Sequence, residues 1–222
     1  MQPGRSRRAA SATTFAAVRA VGVLVAAVVA LAPSRPASSS SHMLGHITIE
    51  RPGELTGSEA LEVYRSLAAK MAAGYRQAGF GDLDDYQGWR RYNTAPYLSS
   101  THGNRYLNNY ANALAAGAGY ERVGEGEGVA MPPGAIIAKD SFSVTDDDRI
   151  FPAPLFVMEK LGPGASPGTG DWRYLAILPD GTVFADSAGP SRGQAMFCHD
   201  CHSAAAETDF LYFVPFEVRV NE

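Results

Sequence analysis

The 222-residue sequence predicts an α+β domain, with helices in the N-terminal part, an antiparallel β-sheet after them and a short helix near the C-terminus. Three observations predict it. A capped stripe of apolar residues at helical spacing runs through residues 56–79. Between Ala135 and Ala185 lie short apolar runs separated by turn-forming residues, the texture of a sheet joined by tight connections. Close to the C-terminus, Cys198, Cys201 and His202 fall within a single helical turn. Composition agrees with a globular chain: 45% hydrophobic and 19% charged residues exclude a disordered or collagen-like polymer. A formal charge of −4 excludes the broad basic face of a nucleic-acid binder.

The folded domain does not begin at Met1. Residues 1–41 carry five arginines (Arg5, Arg7, Arg8, Arg19 and Arg35) and no acid. An apolar run of thirteen residues, Ala20 to Ala32, follows the basic start. A membrane span needs ~20 apolar residues, so the run is short for an anchor. A basic segment, a short apolar segment and then small polar residues is the order of a secretory signal peptide. Pro33 spoils the small-residue site at Ala30-Leu31-Ala32, which moves the expected cleavage to about Ala37. The expected organisation is a signal peptide over 1–37, a flexible segment over 38–55 and one domain over 56–222, exported to the periplasm. Beyond residue 41 the chain keeps 14 of its 19 basic residues and all 23 acids, a formal charge of −9.

The elements follow in order. Thr56-Gly57-Ser58-Glu59 has the form of a helix capping box. Leu61, Tyr64, Leu67, Ala68, Met71 and Tyr75 continue at helical spacing, and Gly79 is placed to end that helix. After a polar stretch, Asn104–Ala116 reads as a second helix with Leu107, Tyr110, Ala111 and Leu114 on one face. Glycine-rich residues 117–128, with Glu121, Glu125 and Glu127, read as a solvated loop. Ala135–Val144, Leu155–Leu161 and Trp172–Leu178 read as strands. Pro179-Asp180-Gly181 is a turn, because proline presets φ and glycine accepts positive φ, and Thr182–Ala185 returns as the partner strand. Phe210–Val220, rich in aromatic and β-branched residues, reads as one more strand.

Cys198-His199-Asp200-Cys201-His202 carries the chemistry. C-x-x-C-H is the attachment signature of haem c: two thiols on one turn each add across a vinyl group, and the next histidine reaches the iron. The motif uses both cysteines of the chain, and an export signal suits a cofactor attached outside the cytoplasm. A zinc site asks for four ligands, which five consecutive positions supply poorly. A thioredoxin-like C-x-x-C belongs after an early strand rather than about 20 residues from the C-terminus. The sixth position of the iron is open in sequence, with Met71, Met131, Met158, Met196 and His102 as candidates.

Only three lysines occur, Lys70, Lys139 and Lys160. Lys139 interrupts a run made to be buried. Desolvation there lowers an amine's pKa and makes it a nucleophile. Glu159 sits likewise in the next strand. A hairpin closed by residues 145–153 sets Val144 against Pro154 and Lys139 against Glu159. The alternative is a cross-strand surface ion pair of small value.

From Trp89 to Val220 the chain resembles the cytochrome P-460 family, which includes the β-sheet cytochromes c′. The resemblance rests on Thr101–Asn112, Met131–Phe142, Val157–Lys160, Asp171–Tyr174 and Phe197–His202. It implies an antiparallel sheet with helices, and a homodimer. It further implies one covalent haem c with Cys198 and Cys201 as tethers, His202 as the iron ligand, and Lys139 cross-linked to the porphyrin. Glu159 would be the catalytic base. The implied reaction is oxidation of hydroxylamine to nitric oxide or nitrous oxide at a five-coordinate iron, with a soluble redox partner such as another cytochrome c. The alternative is a non-catalytic gas-binding or electron-transfer cytochrome, for which a distal carboxylate has less use.

Overall fold

Thr56 opens the first helix, α1 (Gly57–Tyr75), through the capping box its sequence predicts. The Thr56 backbone N–H donates to Glu59 Oε2 at 2.8 Å, and Glu59 N–H donates back to Thr56 Oγ1 at 3.4 Å. Ala60, Tyr64, Met71 and Tyr75 are buried along one face. The chain leaves through a single 3-10 turn, Arg76–Ala78, which Gly79 closes at φ 77°, as expected for a glycine cap. The structure is a computed structural model that describes residues 49–126 and 128–220. The expected signal peptide, residues 1–37, lies outside the described residues. Among those described, no helix is long and apolar enough to cross a membrane.

Eight strands form one antiparallel sheet. They are β1 (Arg90–Arg91), β2 (Tyr97–Ser99), β3 (Arg105–Ala111), β4 (Ile136–Val144), β5 (Ile150–Pro152), β6 (Leu155–Lys160), β7 (Trp172–Ile177) and β8 (Val183–Asp186). The order is β1-β3-β4-β6-β7-β8, with β2 also on β3 and β5 also on β4. A short α2 (Ala113–Gly117) follows β3, and α3 (Arg192–His202) packs over β7 and β8. The sheet is therefore covered on both faces. The α1 face buries Ile136, Ala138, Leu155, Val157, Leu175 and Ile177 with Tyr64, Met71 and Tyr75. The other face buries Ile137, Met158, Trp172, Tyr174 and Ala176 with Ala195 of α3 and Leu211 and Val214 of the C-terminal segment.

Two sequence expectations fail here for identifiable reasons. Asn104–Ala116 is not a helix: Arg105–Ala111 is an inner strand buried at all seven positions, and only Ala113–Gly117 is helical. A strand buried on both faces has apolar residues at both parities, so its alternation disappears. Two of its polar side chains find buried partners, Asn108 Nδ2 donating to Asp140 Oδ1 of β4 at 3.0 Å and Asn109 Nδ2 to Tyr120 Oη at 2.9 Å. Phe210–Val220 is not a strand either. It makes one isolated bridge, Asn93 with Arg219, and a 3-10 turn at Phe216–Val218 that follows Pro215, a residue with no N–H for a ladder.

A third correction concerns register. Val144 pairs with Ile150, Lys139 with Phe156 and Ile136 with Glu159. The expected pairing of Lys139 with Glu159 is thus displaced by three residues. Side chains alternate along a strand, so an odd displacement sends Glu159 to the opposite face of the sheet from Lys139. The displacement arises because β5 occupies the end of β4, and Ala153-Pro154 breaks the ladder before β6 begins.

The residue after Lys139 faces α1. Asp140 is completely buried and accepts from Tyr64 Oη at 2.8 Å, Tyr86 Oη at 2.9 Å and Asn108 Nδ2 at 3.0 Å. Burial pushes its carboxyl up from the ordinary range, and these hydrogen bonds oppose that shift. The network ties α1 and the Tyr86 turn to the centre of the sheet. Asp140→Ala removes the shared acceptor: Tyr86 Oη and Asn108 Nδ2 lose theirs, and Tyr64 Oη is left with Tyr110 Oη alone as a possible acceptor. We expect it to cost about 3 kcal/mol in denaturant unfolding. A loss below about 1 kcal/mol contradicts that role.

Candidate functional site

On the α3 face the sheet and its covering segments enclose a cavity of about 470 Å³. Strand alternation supplies its floor: Ile137 and Lys139 from β4, Phe156 and Met158 from β6, Tyr174 and Ala176 from β7. Gln194, Phe197, Cys198, Cys201 and His202 of α3 form one wall. The β2–β3 connection, with Ser99, His102 and Arg105, forms the wall towards the other edge of the sheet. Tyr212, Phe213 and Pro215 line it from the C-terminal segment.

Helical geometry brings the motif together. Cys198 and Cys201 are three residues apart and His202 four from Cys198, so all three share the face of α3 that meets the cavity. Both thiols are free. Burial pushes the Cys198 thiol up to about 11, so it stands as a neutral thiol. His202 Nδ1 donates to the carbonyl of Phe210 at 2.6 Å, which fixes the tautomer with its lone pair on Nε2. Desolvation, with the charge of Lys139 next in size, lowers this imidazole to about 4, so it is neutral. Its ring packs against Tyr174 at 5.7 Å and Tyr212 at 5.3 Å.

The carbonyl that holds His202 belongs to a constrained corner. Asp209 (φ 55°) and Phe210 (φ 64°) are successive left-handed residues, neither of them glycine. Asp209 is held by three partners: Lys160 Nζ to Oδ1 at 2.6 Å, Met131 N–H to Oδ2 at 2.8 Å, and Trp172 Nε1 to its carbonyl at 2.8 Å. Lys160 also lies 4.9 Å over the Trp172 ring.

Lys139 is 8% exposed, and among the described residues its amine has no hydrogen-bond or ion-pair partner. Desolvation lowers it to about 8 from the ordinary 10.5. It is no surface ion pair but a cavity amine beside Phe156 and Ile137. Glu159 is elsewhere. On the α1 face it accepts from Arg173 Nη1 at 3.2 Å, and Arg173 is also bound by Asp186 at 2.9 Å. It is not among the residues that line the cavity, nor is any other carboxylate among the described residues. Of the candidate sixth ligands, Met158 and His102 line the cavity, while Met71 is packed in the α1-face core. Met131 and Met196 are not among the lining residues.

These residues fit a haem. The cavity is mostly apolar, with two thiols and a neutral imidazole on one helix. Tyr174 Oη is buried at its wall with no partner among the described residues, a hydroxyl that an occupant would satisfy. Among the described residues no three His, Cys, Asp or Glu side chains converge as a metal cluster, and zinc would require four such donors. Arg105, Phe156 and His102 complete the cavity. Sequence reasoning recognised only His102, as a possible ligand; the signal for its placement is the Gly103-Asn104 pair behind it.

The amine of Lys139 has a measurable signature in the chain before haem is attached. Below pH 8 the fold must hold an ammonium in an apolar cavity, while the unfolded chain keeps its proton up to 10.5. The unfolded state therefore binds more protons between these values, and stability rises with pH across the window. Lys139→Met removes the dependence. In denaturant unfolding, its stability advantage over the unsubstituted chain should shrink by about 3 kcal/mol from below pH 8 to above pH 10.5. A pH-independent difference contradicts the desolvated amine.

Residues 84–213, more than half of the chain, match the model of the family described as Cytochrome P460. No match to a curated protein was found.

Proposed function

The chain belongs to the cytochrome P460 family, for which a c-type haem is implied, and from that premise we propose that it is an exported mono-haem cytochrome that oxidises hydroxylamine. The observation that carries this reading is the convergence of Cys198, Cys201, His202 and the desolvated Lys139 on one apolar cavity. Cys198 and Cys201 would tether the haem, and His202 would present Nε2 to its iron. Lys139 is the nucleophile placed for a bond to the porphyrin. The haem, when bound, supplies an iron that accepts electrons and keeps a position open to a small nitrogen ligand.

The protein's own side chains do the rest. Phe156, Met158 and Phe213 keep water from the cavity. The hydrogen bond from His202 to Phe210 holds the ligand ring in one orientation, and the Lys160–Asp209 pair holds Phe210 in place. Hydroxylamine loses protons as it loses electrons, giving nitric oxide or nitrous oxide. The electrons leave to a soluble carrier such as another cytochrome c. The N-terminal sequence supports export to the periplasm, and the family resemblance supports a homodimer.

A second reading has one observation in its favour. A lining free of carboxylates and rich in apolar groups suits a non-catalytic protein that binds a gas. Turnover separates the two. The holoprotein supplied with hydroxylamine and an oxidised c-type cytochrome should reduce that cytochrome and release nitric oxide or nitrous oxide; absence of both products overturns the enzymatic reading. Glu159→Ala should keep kcat within a few-fold, against the ~10²-fold or greater loss expected on removing a general base. A loss of that size returns Glu159 to the mechanism.

A further inference from the structure

Oxidation of hydroxylamine needs a proton acceptor, and the cavity lining offers no carboxylate. Of its nitrogen bases, His202 is committed to Phe210 and the iron, and Lys139 to the porphyrin. Among the described lining residues that leaves His102.

His102 ends a 3-10 turn, Ser100–His102, between β2 and β3. Gly103 (φ 76°) and Asn104 (φ 56°) follow in the left-handed conformation and return the chain into β3, with the His102 side chain in the cavity wall. The ring is fixed. Its Nδ1 is 3.0 Å from Ser99 Oγ and 3.3 Å from Thr101 Oγ1. Its face tilts against Phe156 at 5.2 Å, and Phe156 is the cross-strand partner of Lys139. Its carbonyl accepts from Arg105 Nη1 at 2.7 Å. Nε2 has no partner among the described residues. With α3 over β7 and β8, and the β2–β3 connection at the other edge of the sheet, His102 and His202 enter the cavity from different walls.

In the chain without haem, desolvation holds the His102 imidazole well below its ordinary value, and the charged groups facing it add to this: Lys139 from β4, His202 from α3 and Arg105 from β3. No acid opposes them. The ring is therefore neutral at neutral pH, and in the tautomer whose Nδ1–H donates to the Ser99 or Thr101 hydroxyl the lone pair lies on Nε2.

We propose that His102 is the proton acceptor of this site, the role that sequence reasoning assigned to Glu159. Nε2 takes a proton from the O–H or N–H of hydroxylamine. The N–H bond on the imidazole forms as the substrate bond to hydrogen breaks, and the electron pair stays on the substrate. The proton then passes to solvent. Ser99 and Thr101 are positioning residues that hold the ring through Nδ1. The inference rests on the hydroxylamine reading for its substrate, but the proton transfer has a readout independent of turnover.

That readout is cyanide, which is protonated at neutral pH and binds ferric haem as the anion, so it must leave its proton behind. Stopped-flow association of cyanide with the holoprotein is compared for wild type, His102→Gln and His102→Ala, alongside haem content and hydroxylamine turnover. We expect cyanide association and kcat to fall by ~10²-fold in both variants with haem content unchanged. A rate within about threefold of wild type in both variants overturns the proposal. Loss of haem from both also overturns it, by assigning the ring to packing. If wild type turns over no hydroxylamine but the cyanide effect stands, the proton acceptor is upheld and the hydroxylamine reading falls.

Discussion

Across β4 and β6, Lys139 stands opposite Phe156 and Ile136 opposite Glu159, and because a strand alternates its side chains this pairing sorts charge between the two faces of the sheet. Lys139 faces the cavity; Asp140 and Glu159 face α1. Each of these acids has partners on that side, Asp140 among tyrosines and Asn108, Glu159 with Arg173. The cavity is left with a mostly apolar lining that carries cationic and imidazole groups and, among the described residues, no carboxylate. Burial desolvates the amine, and among the described residues no acid is near to offset that.

A second constraint acts at the other wall. Left-handed backbone at two successive non-glycine residues costs roughly 1–3 kcal/mol each. Asp209 and Phe210 adopt it, and the bonds from Lys160, Met131 and Trp172 hold them there. The strained corner presents one carbonyl to His202. Two of the three lysines thus converge on the same site, Lys139 directly and Lys160 through the corner that orients His202.

What the sequence made legible was local. The capping box of α1, the Pro179-Asp180-Gly181 turn, strands β4, β6 and β7, and the C-x-x-C-H helix each depend on residues within a few positions of one another. What it hid depended on distant partners. The inner strand β3 passed for a helix because burial on both faces erased its alternation. The C-terminal segment passed for a strand because its aromatic residues serve the cavity instead. The β4–β6 register turned on Ala153-Pro154, a break whose effect on pairing no local pattern reports, and with it went the placement of Glu159. His102 was legible as a residue but not in its role, since its direction is set by the backbone of the two residues after it.

The central claim is that one haem is bonded to Cys198 and Cys201 in this cavity and that Lys139 reaches it from the sheet. Mass analysis of the denatured, protease-digested holoprotein tests it most directly. The account predicts one haem-bearing species that contains both the residue 198–202 peptide and the peptide of Lys139. A bare polypeptide mass, or a haem peptide that lacks Cys198 and Cys201, would contradict the account at its foundation; a haem peptide without Lys139 would remove the cross-link from it.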